Sequence, residues 1–263
     1  MVYACTLFSS SGGNCAYIRS GRDELLIDAG VSARRINESL HELGTDLANI
    51  RAILVTHEHT DHIKGIGTIS RRYGIPVYAP FLCVNYIRKQ FPESAPYLRE
   101  NDAGSVLEFG DTRVTAFATP HDSCASVCFR IETPCAVIGY ATDIGYISDQ
   151  VYNALCGADG VVVEANHDLG MLRDGRYPAV LKKRIASQYG HLSNSDCASL
   201  ICRLVRSGTK HIVLAHLSEE NNRPPLALAA ARGTLAGQGI TVGGELTVRV
   251  APPDGVCEIL TAE

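Results

Sequence analysis

The stretch Thr56-His57-Glu58-His59-Thr60-Asp61-His62 decides how this chain folds and which chemistry it can carry. It follows the apolar run 52–55, whose branched side chains are typical of a buried strand. The apolar residues between Ile63 and Tyr73 then recur at helical spacing, so a helix is predicted to begin near Asp61. The cluster is therefore predicted to lie on a strand-to-helix turn.

Most side chains of this turn can bind a metal ion, namely His57, Glu58, His59, Asp61 and His62. Alternate residues of an extended segment point the same way, so His57 and His59 can face one ion. Asp61 and His62, at the start of the helix, can reach a second ion. So many ligands in one turn favour a cation over a merely solvated polar loop. The turn is predicted to supply half of a two-metal site.

Other segments of the chain also place a polar residue at the end of an apolar run. They are Leu25 to Gly30, Thr119 to Asp122, Ala141 to Asp143 and Leu214 to His216. In an α/β scaffold, ligands gather where strands give way to loops. Taken alone, each of these residues would be an ordinary loop or cap residue. Beside the histidine cluster, they become candidate ligands.

Taken in order, these segments resemble the five motifs of the metallo-β-lactamase fold superfamily. The resemblance implies an α/β fold, a four-layer αβ/βα sandwich of two mixed sheets with helices outside, whose halves join near Gly110. No linker interrupts the sequence, so residues 1–263 are expected to form a single domain.

The resemblance also implies a ligand set for two divalent ions. One ion takes His57, His59, His121 and Asp143, and the other takes Asp61, His62, Asp143 and His216. Asp28 is expected to orient the histidine loop without binding metal. Two ions roughly 3.5–4 Å apart hold a bridging hydroxide as nucleophile and neutralise a phosphoryl transition state. Because the set contains only imidazole and carboxylate, both Zn²⁺ and Mn²⁺ fit it.

Two further segments, Val163 to Asp168 and Gly190 to Asn194, resemble the paired Glu and His motifs of ribonuclease Z-type enzymes. The resemblance implies that Glu164 and His191 act together as the proton donor to the leaving group. With Asp61, they are the predicted catalytic residues.

The most specific strings are Glu-Ala-Asn-His-Asp, Gly-His-Leu-Ser-Asn and Ala-His-Leu-Ser-Glu-Glu-Asn-Asn, which begin at Glu164, Gly190 and Ala215. With them the chain resembles the bacterial YycJ/WalJ family, described as cytosolic 5′-to-3′ exonucleases on double-stranded DNA. One departure is an extra glycine before Asn14, which leaves the role of Asn14 open.

Charge gives a local indication of the substrate. A net charge of −4 argues against binding nucleic acid over the whole surface. The basic residues Lys182, Lys183 and Arg184 lie between the two proposed catalytic motifs, on a predicted helix from Pro178 to Tyr189. They are predicted to contact phosphates, with a solvated helix face as the alternative.

Ser193, followed by Asp196, forms a capping box for a helix that runs to Ser207. The free amides there could hold a phosphate beside His191, so Ser193 and Asn194 are further candidates for substrate contact. An ordinary helix cap is the alternative. The predicted partner is nucleic acid, with DNA preferred.

Composition is compatible with an intracellular enzyme. No apolar run is long enough to span a membrane, and the N-terminus lacks the pattern of a secretory signal, so a cytoplasmic location is expected. The ten cysteines are therefore expected to be reduced. Cys124 and Cys128 lie in a segment that reads as a strand, and both are predicted to be core residues.

The sequence thus predicts a metal-dependent phosphodiester hydrolase, specifically a DNA exonuclease. An RNA-processing nuclease and a small-molecule phosphodiesterase are alternatives. So are a lactone or thioester hydrolase and a non-catalytic binding protein of the same fold. The choice of zinc or manganese, the preference for DNA or RNA, the polarity and the oligomeric state stay open.

Overall fold

Two seven-stranded β-sheets form the centre of the molecule. The structure is a computed structural model that describes residues 1–263. The first sheet contains β1 (Val2–Ser10), β2 (Gly13–Ser20), β3 (Asp23–Ile27), β4 (Ala52–Leu54), β5 (Val77–Ala79), β6 (Leu98–Glu100) and the last strand, β14 (Asp254–Ala262). The second contains β7 (Val106–Phe109), β8 (Thr112–Ala118), β9 (Val127–Glu132), β10 (Val137–Ala141), β11 (Gly160–Glu164), β12 (His211–Ala215) and β13 (Thr247–Val250).

Both sheets are mixed, as predicted. The first has the order β14-β1-β2-β3-β4-β5-β6, and the second has the order β13-β12-β11-β10-β9-β8-β7. The pairings from β3 to β6 and from β10 to β13 are parallel, and the others are antiparallel. The parallel strands are apolar and almost wholly buried, as expected for strands covered on both faces.

Helices cover the outer face of each sheet. They are α1 (Ala33–Glu42), α2 (Thr60–Ile63), α3 (Ile66–Tyr73), α4 (Phe81–Gln90), α5 (Asp149–Leu155), α6 (Leu169–Asp174), α7 (Ala179–Ile185), α8 (Asn194–Arg206) and α9 (Pro224–Gly237). Short 3-10 helices occur at Leu47–Asn49 and Pro92–Tyr97. None of the helices has the length and apolar character needed to span a bilayer.

Three apolar layers hold these parts together. One lies between the sheets and contains Ile18 from the first and Phe129 from the second. The next packs the first sheet against its helices, for example Ile53 near Ile69. The third packs the second sheet against helices such as α8. Three apolar interfaces between four layers confirm the predicted αβ/βα sandwich.

The chain passes between the sheets at residues 101–105, slightly before the predicted junction. Gly110, where the halves were expected to join, is instead the turn of the β7–β8 hairpin and has a φ of 56°. The chain also returns at its end, because β14 pairs with β1 in the first sheet.

The helix predicted after the histidine loop is broken in two, α2 and α3, at Gly65. A Cβ on Gly65 would lie 2.5 Å from the Val31 carbonyl oxygen, and the Gly65 amide donates to Ala29 O at 2.8 Å. The break lets the loop pack closely against the segment that follows β3.

All ten cysteines are free thiols. Cys128 is a core residue of β9, as predicted. The prediction for Cys124 is wrong, because this residue is exposed in the loop before β9. The strand begins only at Val127, after a series of turns that follows His121.

Candidate active site

The candidate site lies where strands of both sheets end. His57 follows β4 in the first sheet, while Asp143 and His216 follow β10 and β12 in the second. Asp28, Asp143 and His216 are the non-glycine residues with positive φ, at 61°, 58° and 55°. This conformation costs on the order of 1–3 kcal/mol per residue and is characteristic of functional sites.

His57, His59 and His121 form the first ligand group. Their ring nitrogens lie within 4.8 Å of one another. His59 Nδ1 and His121 Nε2 are 3.4 Å apart, which matches the separation of about 3.3–3.4 Å between two nitrogens on a tetrahedral zinc ion. The group therefore has the geometry of half a metal site.

Asp61, His62 and His216 form the second group. The Asp61 Oδ2 atom lies 3.4 Å from His62 Nε2 and 3.6 Å from His216 Nε2. Burial lowers the pKa of His216, but Asp143, Asp61 and Glu164 outweigh burial and raise it to about 10. The carboxylates around His216 thus demand positive charge, which a divalent cation would supply.

Asp143 lies between the two groups. Its Oδ2 atom is 3.3 Å from His62 Nε2, and its Oδ1 atom is 3.7 Å from His121 Nε2. Burial raises the pKa of Asp143, but His216, His62 and His121 outweigh burial and lower it. An ionised carboxylate in contact with both groups has the position that a bridging ligand needs.

Four of the histidines are oriented alike through Nδ1. The Nδ1 partners are Thr56 Oγ1 for His57 at 3.0 Å, Asp28 Oδ2 for His62 at 2.7 Å, Gly190 O for His121 at 3.1 Å and Glu164 Oε1 for His216 at 2.8 Å. With the proton held at Nδ1, each Nε2 keeps its lone pair for a metal ion.

The site also contains buried atoms without a hydrogen-bond partner, which are His57 Nε2, Asp143 Oδ2 and His216 Nε2. A buried polar atom left unpaired costs about 1–3 kcal/mol. All three atoms belong to the predicted ligand set, and cations bound there would pair with them. The donor set therefore fits two divalent ions of the zinc or manganese type.

Asp28 contacts the site in the way predicted, through His62. It is fully buried, and its Oδ1 atom accepts a hydrogen bond from the Thr56 amide at 2.8 Å. Thr56 is the residue that sequence reasoning missed here. Its only signal was its place between the strand and His57.

Asn14, whose role the sequence left open, contacts the second group. Its Nδ2 atom lies 3.0 Å from Ser10 O and 3.3 Å from Asp61 Oδ2. Asn14 thus ties the β1–β2 hairpin to the histidine loop. The neighbouring Gly13 permits this approach, because a Cβ there would lie 2.3 Å from Val31 Cγ1.

Glu164 and His191 are brought together at the edge of the site. Glu164 Oε1 accepts from His191 Nδ1 at 2.7 Å, and its Oε2 accepts from the Ile144 and Leu192 amides at 2.8 and 3.0 Å. Burial raises the pKa of Glu164, but His191 and His216 outweigh burial and lower it. Burial lowers the pKa of His191, but Glu164 and then Asp143 raise it overall. The pair therefore keeps an ionised carboxylate behind a protonated imidazole.

A cavity of about 160 Å³ opens beside His191. Arg184 lines it and forms an ion pair with Asp122, which follows His121 in the chain. Lys182 instead donates to Arg173 O at 2.8 Å, and Lys183 is exposed. Of the three basic candidates, only Arg184 lines this cavity.

Ser193 and Asn194 are engaged in local structure. Ser193 is the N-cap of α8, and its Oγ accepts from the Asp196 amide at 3.1 Å. The Asn194 and Asn222 amides pair reciprocally at 2.8 and 2.9 Å, both buried. The capping box is confirmed, and the Asn194–Asn222 pair joins two of the loops behind the site.

Comparison with known proteins gives a consistent result. The family model described as the beta-lactamase superfamily domain matches residues 23–217. Exodeoxyribonuclease WalJ of Streptococcus pneumoniae is 38% identical over 256 residues, which cover 94% of this chain and 93% of WalJ. Exodeoxyribonuclease YycJ of Bacillus anthracis is 35% identical over 250 residues, 94% of each chain.

The fold comparison agrees. The crystal structure of the metallo-beta-lactamase fold protein YhfI from Bacillus subtilis superposes with a TM-score of 0.73, at 17% identity, over 98% of both chains. At that identity the likeness concerns the fold alone. The family model and the two full-length relatives carry the assignment: the chain belongs to the beta-lactamase superfamily and, within it, to the YycJ/WalJ family.

Proposed function

We propose that this protein is a metal-dependent exodeoxyribonuclease that digests double-stranded DNA in the 5′-to-3′ direction. The observation that carries the proposal is the convergence of seven imidazole and carboxylate side chains, with unpaired atoms among them, at one edge of both sheets. The substrate class is supported by the relatives named exodeoxyribonuclease, which match this chain over nearly its whole length.

The two ions would be held by the ligand sets derived above. His57, His59, His121 and Asp143 would hold one, and Asp61, His62, Asp143 and His216 would hold the other. When bound, two divalent ions supply a nucleophilic oxygen from water and neutralise charge on the phosphoryl group. Asp28 fixes the ring of His62, and Asn14 steadies Asp61, so the ligand positions are set before any ion binds.

The proton for the leaving group would come from His191. Phosphodiester cleavage expels a poor alkoxide, which needs a proton as the bond to phosphorus breaks. The ring is held through Nδ1 by Glu164, so Nε2 is the atom left to donate. The side chain of His191 is 21% exposed, so a substrate can reach it.

The DNA backbone would be bound first through Arg184. This guanidinium lines the cavity beside His191 and is held by Asp122. Lys182 and Lys183, on the same exposed helix, would add contacts to phosphates farther along the strand. Ser193 would act through the N-terminus of α8, whereas the buried pairing of Asn194 with Asn222 gives Asn194 a supporting role.

Substrate panels test this proposal. Purified protein with Mn²⁺ or Zn²⁺ is incubated with double- and single-stranded DNA and RNA, labelled at either the 5′ or the 3′ end. We expect mononucleotides to be released early from the 5′ label of double-stranded DNA and late from its 3′ label. Faster digestion of RNA would favour an RNA-processing nuclease. Activity restricted to a small diester would favour a small-molecule phosphodiesterase.

A further inference from the structure

A second cluster of metal-ligand atoms lies behind the histidine loop, formed by Glu58, Cys83 and Cys124. Glu58 lies between His57 and His59 in sequence, but its Oε1 atom accepts from the Cys124 amide at 2.8 Å. Its Oε2 atom is 3.3 Å from the Cys83 sulfur. The cluster joins the histidine loop, helix α4 and the loop that follows His121.

The spacing of these atoms matches a tetrahedral metal site. The Cys83 and Cys124 sulfurs are 3.7 Å apart. With Zn–S bonds of about 2.3 Å and Zn–O bonds of about 2.0–2.2 Å, two sulfurs lie about 3.8 Å apart and a sulfur and an oxygen about 3.5 Å apart. A disulfide would need the sulfurs at about 2.05 Å, so the spacing favours a shared ion over a bond.

The hydrogen bonding of Cys83 is incomplete without a cation. This fully buried thiol has one proton but faces Glu58 Oε2 at 3.3 Å, Ala125 O at 3.0 Å and the Cys124 sulfur at 3.7 Å. One proton can satisfy only one of these acceptors. The two partners of the Glu58 carboxylate, an amide and a thiol, carry no positive charge.

We propose that Glu58, Cys83 and Cys124 bind a third divalent ion, of the thiophilic type represented by zinc. Cys124 is exposed, so the ion can enter from solvent, and three protein ligands leave one position for water. The ion would fix Glu58 and Cys124 relative to each other. It would thereby hold the histidine loop against the segment that carries His121.

Cobalt substitution tests the site without reference to activity. The two-metal site contains only nitrogen and oxygen ligands, so a near-ultraviolet thiolate-to-Co²⁺ absorption band reports on the cysteine cluster alone. Under reducing conditions, we expect the full-length protein to bind three equivalents of Co²⁺ and to show this band. The double variant Cys83→Ser/Cys124→Ser should bind two equivalents and lack the band.

Three further variants make the result specific. Cys124→Ser removes an exposed ligand with little risk to folding and should lose most of the band, whereas Cys135→Ser, at another exposed cysteine, should keep it. His59→Ala should keep the band although it damages the first ligand group. The proposal is wrong if the wild type binds no more than two equivalents without the band, or if the band persists in the double cysteine variant.

Discussion

The Glu164 carboxylate accepts hydrogen bonds from two histidines with different proposed tasks. One is His191, at 2.7 Å, the proposed acid, and the other is His216, at 2.8 Å, a candidate metal ligand. Substitution of His191 therefore removes one task, whereas substitution of Glu164 disturbs both. This difference separates proton donation from metal binding.

His191→Ala should slow DNA cleavage by about 10²–10⁴-fold, the usual contribution of a general acid. It should slow bis(p-nitrophenyl) phosphate hydrolysis far less, because that leaving group departs without a proton. Since Glu164 and Asp143 raise the pKa of His191, the wild type should lose DNA cleavage only as the pH rises through that elevated value. Rates on both substrates across a pH series provide the measurement.

Glu164→Gln serves as the comparison. The amide keeps the size of the side chain but loses the charge that orients both rings, so both substrates should be affected. Equal losses on both substrates in His191→Ala would indicate a metal-site defect instead of a lost acid. No loss on DNA would remove His191 from the mechanism.

The sequence identified site residues only where a motif marked them. The candidate ligands each follow an apolar run, so their types and positions could be predicted. Contacts across long sequence separations could not be predicted. Asn14 meets Asp61 at a separation of 47 residues, and Asn194 meets Asn222 at a separation of 28. Such pairs depend on how the hairpin and loops pack, which no local pattern records.

At the scale of elements, helix α7 is the part most exposed to a substrate, because none of its residues is buried. Replacement of Lys182, Lys183 and Arg184 by alanine should weaken DNA binding and flatten its salt dependence by up to about 0.9 per lost contact. Arg184→Ala alone should account for the largest share, because only Arg184 lines the cavity. Binding titrations at several salt concentrations give the slope.

Arg206 and Lys210 provide a matched control. Arg206 ends α8, opposite its Ser193 cap, and Lys210 precedes β12, opposite His216. The double variant Arg206→Ala/Lys210→Ala also removes basic residues, but at the far ends of these elements, and should leave the salt slope nearly unchanged. An equal effect of both sets would mean that α7 has no special role in binding.

The loop after β3 depends on close backbone contact at Gly30. A Cβ there would lie 1.6 Å from the Asp61 carbonyl oxygen and 2.5 Å from the Asn14 nitrogen. Gly30→Ala should therefore destabilise the protein by about 1–3 kcal/mol or more. Gly233→Ala, on an exposed turn of α9 with open space around it, should stabilise by about 0.5–1 kcal/mol. Denaturant unfolding measures both, and similar changes in both variants would refute the packing argument.

The elements themselves were largely predictable, but their exact ends were not. The break at Gly65 arises from contact with residues 29–31, which the helical spacing after Asp61 cannot reveal. Cys124 alternates like a strand residue, yet the turns after His121 keep it outside β9. In both places tertiary contacts, not local preference, set the boundary.

At the scale of the whole molecule, the candidate ligands join the two halves of the sandwich. The loop after the first sheet's β4 provides His57, His59, Asp61 and His62, and the second sheet provides His121, Asp143 and His216. Bound ions would therefore stabilise the native state specifically. At a free-ion level near a hundred times Kd, the gain is about 2.7 kcal/mol.

For a chain of this size, that gain corresponds to a rise in melting temperature of about 5–10 °C when Mn²⁺ or Zn²⁺ is added to chelator-treated protein. Asp143→Ala, which removes the residue between the two ligand groups, should respond by less than half as much. Differential scanning calorimetry measures both. An unchanged melting temperature in the wild type would contradict the ion-binding role of the cluster.

The most direct test of metal-dependent DNA hydrolysis is the digestion of 5′-labelled double-stranded DNA by chelator-treated protein, before and after divalent ions are restored. We expect no release of labelled nucleotide after chelation, recovery with Mn²⁺ or Zn²⁺, and no recovery in His59→Ala or Asp143→Ala folded as the wild type. Digestion that survives complete removal of metal, or that persists in Asp143→Ala, would contradict the account.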